Sequence, residues 1–332
     1  MLTQEKIKEA LADVLVPGIQ RSLVDLNLVR DIQLSNDKVK ITLASTALDE
    51  DAQRWVKEKA ASVVKQSVKN METEVVFIEK KPLEINRVKH VIAVMSGKGG
   101  VGKSLVTALT AIILSRQGLS VGILDADITG PSIPKMFGLS MRPRGSESGI
   151  LPVISANGIE VISINLFLPG DDEAVIWRGP LIGKAITQFW EDVLWGSLDY
   201  LIVDLPPGTA DAPLTVLQVL PVSGAIVVFT PQDLTAMIVK KAVKMAQQMD
   251  KKVLGVVENM SFLYIPELIK QIDIFGKSRG DEMSKAAGAP LLARIPLDPK
   301  LAALCDEGHI ERYDGEILKT YSEALLKAIP RE

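Results

Sequence analysis

Residues Gly97 to Ser104 read Gly-Lys-Gly-Gly-Val-Gly-Lys-Ser. The spacing satisfies the phosphate-loop pattern G-x-x-x-x-G-K-S/T, which constrains the chain on both of its sides. Such a loop needs a strand before it and a helix after it. The apolar run Val91-Ile92-Ala93-Val94-Met95 supplies the strand, and the spacing of Leu105, Ala108, Leu109, Ile112 and Ile113 supplies the helix. Glycines let the backbone wrap tightly around phosphate oxygens with its N–H groups turned inward. The helix adds its positive N-terminal end. The expected nucleotide contacts are therefore Gly97, Lys98, Gly99, Gly100, Val101, Gly102, Lys103, Ser104 and Leu105. Lys103 is expected to bridge the terminal phosphates and Ser104 to bind magnesium. A plain glycine turn between strand and helix would call for neither side chain.

From His90 onward, apolar runs alternate with helical stretches. The expected strands are Val91–Met95, Val121–Leu124, Val161–Ile164, Tyr200–Val203, Ala225–Phe229, Val253–Val257 and Leu291–Ile295. Continuous apolar strands separated by helices predict an α/β fold, a mostly parallel sheet covered on both faces. Residues 1–80 read differently. Ile7, Leu11 and Val14 suggest a helix after Thr3. The alternation of Ile32–Leu34 and Val39–Leu43 about Asn36-Asp37 suggests a hairpin. Val56, Ala60 and Val63, beside Trp55, suggest a second helix, and Val75–Ile78 a third strand. That is a small α+β domain, joined through a linker at 81–89 to a P-loop domain at 90–332. The Gly/Ser-rich segment Arg142–Gly149 reads as a polar loop.

Composition narrows the classes. A net charge of −3 gives no electrostatic reason to expect nucleic acid as a partner. No apolar run approaches the roughly 20 residues that span a bilayer, so no membrane partner is expected. The chain has a single cysteine, Cys305, which leaves no intramolecular disulfide and points to the cytoplasm.

Other segments fit around the loop. The run Tyr200–Val203 ends in Asp204, where buried parallel strands present ligands; Asp204 is expected to hold magnesium through water, with strand-end capping as the competing role. Gly208 offers a backbone N–H for the γ-phosphate. Asp125 and Asp127 follow another strand. Asp127 is the expected group for orienting the attacking water, against a capping role. Asn259, after Val253–Glu258, can donate to and accept from an adenine edge. No Asn-Lys-x-Asp guanine motif occurs, which favours ATP.

The second loop lysine, Lys98, is the mark of the deviant Walker subclass, which this chain resembles. Together with Asp125–Ser132, Trp177–Pro180, Leu198–Thr209, Thr230-Pro231-Gln232, Glu258–Ser261 and Ile295–Pro299, it makes residues 88–310 similar to the Mrp family of iron–sulfur cluster carrier ATPases. The resemblance implies a homodimeric ATPase in which Lys98 crosses the interface to the partner's nucleotide, and delivery of clusters to apoproteins. The first 80 residues resemble the iron–sulfur-assembly domain often fused ahead of such ATPases.

The chain departs from that pattern at its thiols. Counting from Ser261, the places of the family's Cys-x-x-Cys hold Ile265 and Leu268. No cysteine occurs in Ser45–Leu48 either, and Leu105 stands where relatives have a hydroxyl. Cys305 and His309 are four residues apart, but Gly308 is expected to end the helix between them. A lone cysteine in an apolar run reads as a small buried hydrophobe. The departures imply a paralogue, a regulatory or scaffold ATPase paired with a cysteine-bearing partner. A rival from another class is a positioning or partition ATPase, which shares the second lysine but docks through basic amphipathic surfaces. The C-terminal stretch Ile317–Leu326 is mixed in charge and reads as a packing helix.

Overall fold

A computed structural model describes residues 3–67, 71–127, 130, 132–167, 179–209, 211–232, 235–265 and 270–331. The chain divides into two compact units. One comprises Met1–Val88 with Arg142–Val153 and Gln188–Leu198, and the other comprises Lys89–Met141, Ile154–Thr187 and Asp199–Glu332.

In the first unit Thr3 caps the helix Gln4–Ala12 through its hydroxyl, and Ile7 and Leu11 turn inward. Strands Val29–Leu34 and Lys38–Ala44 pair antiparallel, Ile32 opposite Ile41. Their turn centres on Asn36-Asp37, with the Ser35 N–H donating to the Lys38 carbonyl at 2.9 Å. Strand Glu72–Ile78 then pairs parallel with Lys38–Ala44. Parallel neighbours need a crossover, here the helix Glu50–Ser67. Its buried stripe is Val56, Ala60 and Val64, so Val64 rather than Val63 completes the face, and Trp55 is 41% exposed.

Two distant segments belong to this unit. The stretch read as a polar loop forms a hairpin, Gly145–Ser146 against Gly149–Ile150, whose Ser148 hydroxyl accepts from the Ala47 N–H at 3.1 Å. The Asn86 side chain ties down the other segment. Its amide donates to the Val193 carbonyl at 2.9 Å, and its oxygen accepts from the N–H groups of Trp195 and Gly196. These partners lie over a hundred residues away, beyond the reach of local pattern.

The second unit is built on a sheet of eight strands among the described residues. In order across the sheet they are Leu291–Arg294, Val253–Glu258, Gly224–Phe229, Arg87–Ser96, Ser197–Asp204, Val121–Asp125, Glu160–Ser163 and Val153–Ile154. Pairing from Leu291–Arg294 to Gly224–Phe229, and on to Arg87–Ser96, is parallel. So is pairing from Ser197–Asp204 to Glu160–Ser163. Ile164, read as the end of a strand, instead opens a short 3-10 helix, Ile164–Phe167. Chain order reverses direction at the central strand Arg87–Ser96, which creates a switch point at its carboxyl end.

The helix Lys103–Arg116 buries every residue from Val106 to Leu114, consistent with its apolar character all round. The C-terminal helix Ile317–Ala328 packs beside it through Leu318, Tyr321 and Leu325. The buried Tyr321 hydroxyl meets the Thr110 hydroxyl at 2.6 Å, which satisfies both groups. This tail is a packing helix, as its mixed charge suggested. Among the described residues no helix is long and apolar enough to cross a membrane.

Two turns meet closely in this unit. Gly308, at φ +74°, ends the helix Pro299–Asp306 in a Schellman arrangement, with the His309 N–H donating to the Leu304 carbonyl at 2.7 Å. A Cβ on Gly308 would stand 2.6 Å from the Cα of Gly138. Gly288, at φ +60°, ends another helix with open space around it. Gly288→Ala is therefore expected to lose about 1–2 kcal/mol from backbone strain alone. Gly308→Ala should lose that and a further ~1–3 kcal/mol of overpacking. Urea unfolding checks the pair, and equal losses would refute the steric account.

Candidate functional site

The carboxyl ends of five strands place Ser96, Asp204, Asp125, Phe229 and Glu258 along one edge of the sheet. The phosphate loop leaves that edge at Ser96. Gly102 takes φ +80° and ψ 32° as the N-cap of the helix Lys103–Arg116, a conformation that favours glycine. A Cβ there would also overlap the Asn259 side-chain amide and displace it. That amide donates to the Val101 carbonyl at 2.9 Å, and Asn259 is only 2% exposed. Read from the sequence as an adenine contact, Asn259 here braces the phosphate loop. Its strand lies two places from Arg87–Ser96 in the sheet, and the side chain at its exit reaches the Val101 carbonyl.

Beside the loop a buried cation sits among acids. The Lys103 ammonium lies 2.8 Å from the Asp204 carboxylate and 3.3 Å from that of Asp127, with its side chain 5% exposed. Burial opposes its charge, yet Asp204 and Asp127 outweigh that and hold its pKa above the ordinary value. The Ser104 hydroxyl donates to one Asp204 oxygen, and the Thr107 hydroxyl donates to the other at 2.8 Å. Thr107 was not singled out from the sequence. Its signal was a hydroxyl one helical turn beyond Lys103.

Asp125 and Asp127 divide their tasks. Asp125 is fully buried, accepting from the Ser163 hydroxyl at 2.9 Å and the Asp127 N–H at 3.2 Å. Burial, and then the nearby Asp204 carboxylate, push its pKa well above the usual range, against the pull of Lys103 and Ser163. Asp127 faces Lys103 instead, on the loop side. Ile128, Thr129 and Pro131 of this segment, and Trp177 and Arg178 of another motif, lie outside the described residues.

Lys98 and Gly208 have partners of their own. The Lys98 ammonium donates to the amide oxygen of Gln232, and the Lys98 carbonyl accepts from the Ser96 hydroxyl at 2.9 Å. The Gly208 N–H, read as a γ-phosphate donor, donates to the Ser96 carbonyl at 3.1 Å. Reaching a phosphate from there means exchanging one acceptor for another.

A further carboxylate was missed. Glu258 is fully buried and collects hydroxyls from Ser261 and Ser278, the latter at 2.6 Å, and the Arg279 N–H at 2.7 Å. It pins the turn that carries Asn259 and the hairpin beyond it, Leu263–Ile265 against Lys270–Ile272. Ile265 pairs with Lys270 in that hairpin, while Leu268 lies outside the described residues. Cys305 and His309 fall on either side of the helix stop at Gly308. Burial, and then Asp306, push the half-buried Cys305 thiol up to about 11, which leaves little thiolate at neutral pH.

Residues 87–329 match the family model described as NUBPL iron-transfer P-loop NTPase, and residues 4–77 match that of an iron–sulfur cluster assembly protein. An iron–sulfur cluster carrier protein of Synechocystis sp. is 40% identical over 93% of this chain and 91% of its own. One of Methanocaldococcus jannaschii is 46% identical over 68% of this chain and 78% of its own. A solved nucleotide-binding protein in complex with ADP, from Archaeoglobus fulgidus, is 44% identical with a TM-score of 0.64, covering 70% of this chain and 92% of that one.

The packing of Lys103 sets a double expectation for Lys103→Ala. Losing one charge-assisted contact to phosphate should weaken ATP binding about tenfold or more. The same change leaves Asp125, Asp127 and Asp204 without their cation, so the melting temperature should fall as well. Calorimetric titration of protein with an unchanged circular dichroism spectrum checks the first. Unaltered affinity would remove Lys103 from the site.

Proposed function

This chain belongs to the iron-transfer P-loop NTPase family, and from that premise we propose that it binds and hydrolyses ATP with magnesium to drive iron–sulfur cluster assembly and delivery to apoproteins. The single observation that carries the ATPase reading is the convergence of Lys103, Ser104, Asp127 and Asp204 on one loop at the switch point. We take residues 1–80, 81–89 and 90–332 as assembly-like domain, linker and ATPase domain, a division supported by the two family matches. We assign the protein to the cytoplasm, since its single thiol suits a reducing compartment.

The loop N–H groups from Gly99 to Ser104 cradle the phosphates, and the Lys103 ammonium passes from Asp204 and Asp127 to the terminal phosphates. Asp204 and Ser104 present hard oxygen donors to each other, a donor set that suits magnesium. Bound there, magnesium supplies charge neutralisation on the phosphoryl group. With Lys103 drawn to the phosphates, Asp127 is released from it to accept a hydrogen bond from the attacking water and orient it. Lys98 of a second copy neutralises the charge that builds on the transferred group.

The residues present do not fit the usual thiolate cage for a cluster. The family positions hold Ile265 and Leu268, and each chain carries one thiol, which is poorly ionised. A 4Fe–4S cluster takes four thiolates. We therefore propose that the thiolates come from a cysteine-bearing partner chain, with this chain supplying the ATP-driven half. A regulatory or scaffold ATPase is the alternative that the missing thiols raise, while the iron–sulfur cluster carrier relatives support the main reading. The positioning-ATPase rival has less support, since the tail it would dock with is packed into the core.

Two expectations follow from these roles. If Lys98 acts across a dimer, Lys98→Ala should cut hydrolysis far more than nucleotide binding. Mixed with Asp127→Asn subunits, it should then recover about a quarter of wild-type turnover, since half the dimers hold one complete composite site. Verified heterodimers without recovered activity would exclude action in trans. Anaerobic reconstitution of the unmodified chain with iron and sulfide should yield well below one cluster per dimer, whereas Ile265→Cys with Leu268→Cys should raise it. Stoichiometric cluster in the unmodified protein, by iron counting and absorbance, would overturn the partner-thiolate reading.

A further inference from the structure

Lys98 is held at both ends within its own chain. Its carbonyl accepts from the Ser96 hydroxyl at 2.9 Å, and its ammonium donates to the amide oxygen of Gln232. Gln232 lies at the exit of the strand Gly224–Phe229, which pairs with the phosphate-loop strand so that Val228 stands opposite Ser96. Pro231, immediately before it, has its own φ fixed by its ring, which stiffens the backbone leading to Gln232. An ammonium has only donors to offer, so the Gln232 contact must be through oxygen, and the amide is oriented by it.

We propose that Gln232 is a positioning residue that latches Lys98 in its own subunit, and that this latch must open before the ammonium can reach a phosphoryl group. The inference rests on the reading that Lys98 serves ATP hydrolysis. Its chemistry suits a latch that can release. A neutral amide oxygen holds an ammonium by one charge-assisted hydrogen bond, whereas phosphate oxygens carry formal charge and compete for it. A carboxylate at the same place would hold the lysine in an ion pair. Removing the acceptor would leave it free to engage. The latch therefore lowers the fraction of molecules whose Lys98 is available, and apparent affinities scale with that fraction. The neighbouring Gly208 N–H is engaged in the same manner, donating to the carbonyl of Ser96, the residue whose hydroxyl holds Lys98. The two loops on either side of the phosphate loop are thus tied through Ser96 and Lys98.

The test uses the full chain with two readouts. Lys98 reactivity is measured by acylation footprinting and mass spectrometry, and turnover by steady-state ATP hydrolysis. Gln232→Ala should raise Lys98 acylation and kcat/KM roughly three- to tenfold, and Gln232→Glu should lower both by a similar factor. A merely structural role for Gln232 would move both variants the same way. Lys98 acylation that is unchanged in both variants overturns the latch. So does acylation that responds while turnover stays constant, provided Lys98→Ala itself lowers turnover. Unchanged turnover in Lys98→Ala would instead refute the role of Lys98 in hydrolysis and, with it, the need for a latch.

Discussion

A lysine ammonium enclosed by carboxylates organises the candidate site. Lys103 sits almost out of water, between Asp204 and Asp127 and near the fully buried Asp125. A buried cation or a buried group of acids would each be costly alone, and each makes the other tolerable. The Ser104 and Thr107 hydroxyls also bond Asp204, and Ser163 serves Asp125. The sheet edge can thus carry three acids side by side because the helix that starts at Lys103 brings their counter-ion. Any ligand of that lysine must compete with Asp204 and Asp127, which favours a polyanion over a neutral molecule.

The loop that presents Lys103 is braced from below. Asn259 bonds the Val101 carbonyl and fills the space that a side chain at Gly102 would need. The turn that holds Asn259 is itself pinned by Glu258, buried and satisfied by three donors. That turn leads directly into the hairpin bearing Ile265. One short stretch, 258–265, therefore joins the residue that braces the phosphate loop to the hairpin strand Leu263–Ile265.

The family membership and the thiol content separate two halves of one activity. At the phosphate loop Lys103 joins Asp127 and Asp204, and Asp204 in turn holds Ser104 and Thr107. At the hairpin Ile265 is a branched alkyl group, and the single thiol lies elsewhere, on the helix Pro299–Asp306, protonated by its surroundings. The geometry around Lys103 is thus kept without a thiol at residue 265.

By itself the sequence determined which local structures form and what chemistry they carry. Strand and helix alternation, the glycine spacing of the loop, Asp204 at a strand end and the absence of thiols at 265 and 268 depend on residue type and short spacing. The seven parallel-sheet runs read from His90 onward all fall within observed strands, apart from the last residue or so of two. Tertiary structure alone decided which groups meet. Gln232 reaches Lys98 across 134 positions, Asn259 reaches Val101 across 158, and Asn86 gathers Val193 and Trp195 into the first unit. The fate of Val63 against Val64 also waited on the helix's rotation over its sheet. Such pairings follow from strand order, and strand order is set by the packing of all the elements at once. A one-dimensional pattern records only the faces each element must bury, not which neighbour will bury them.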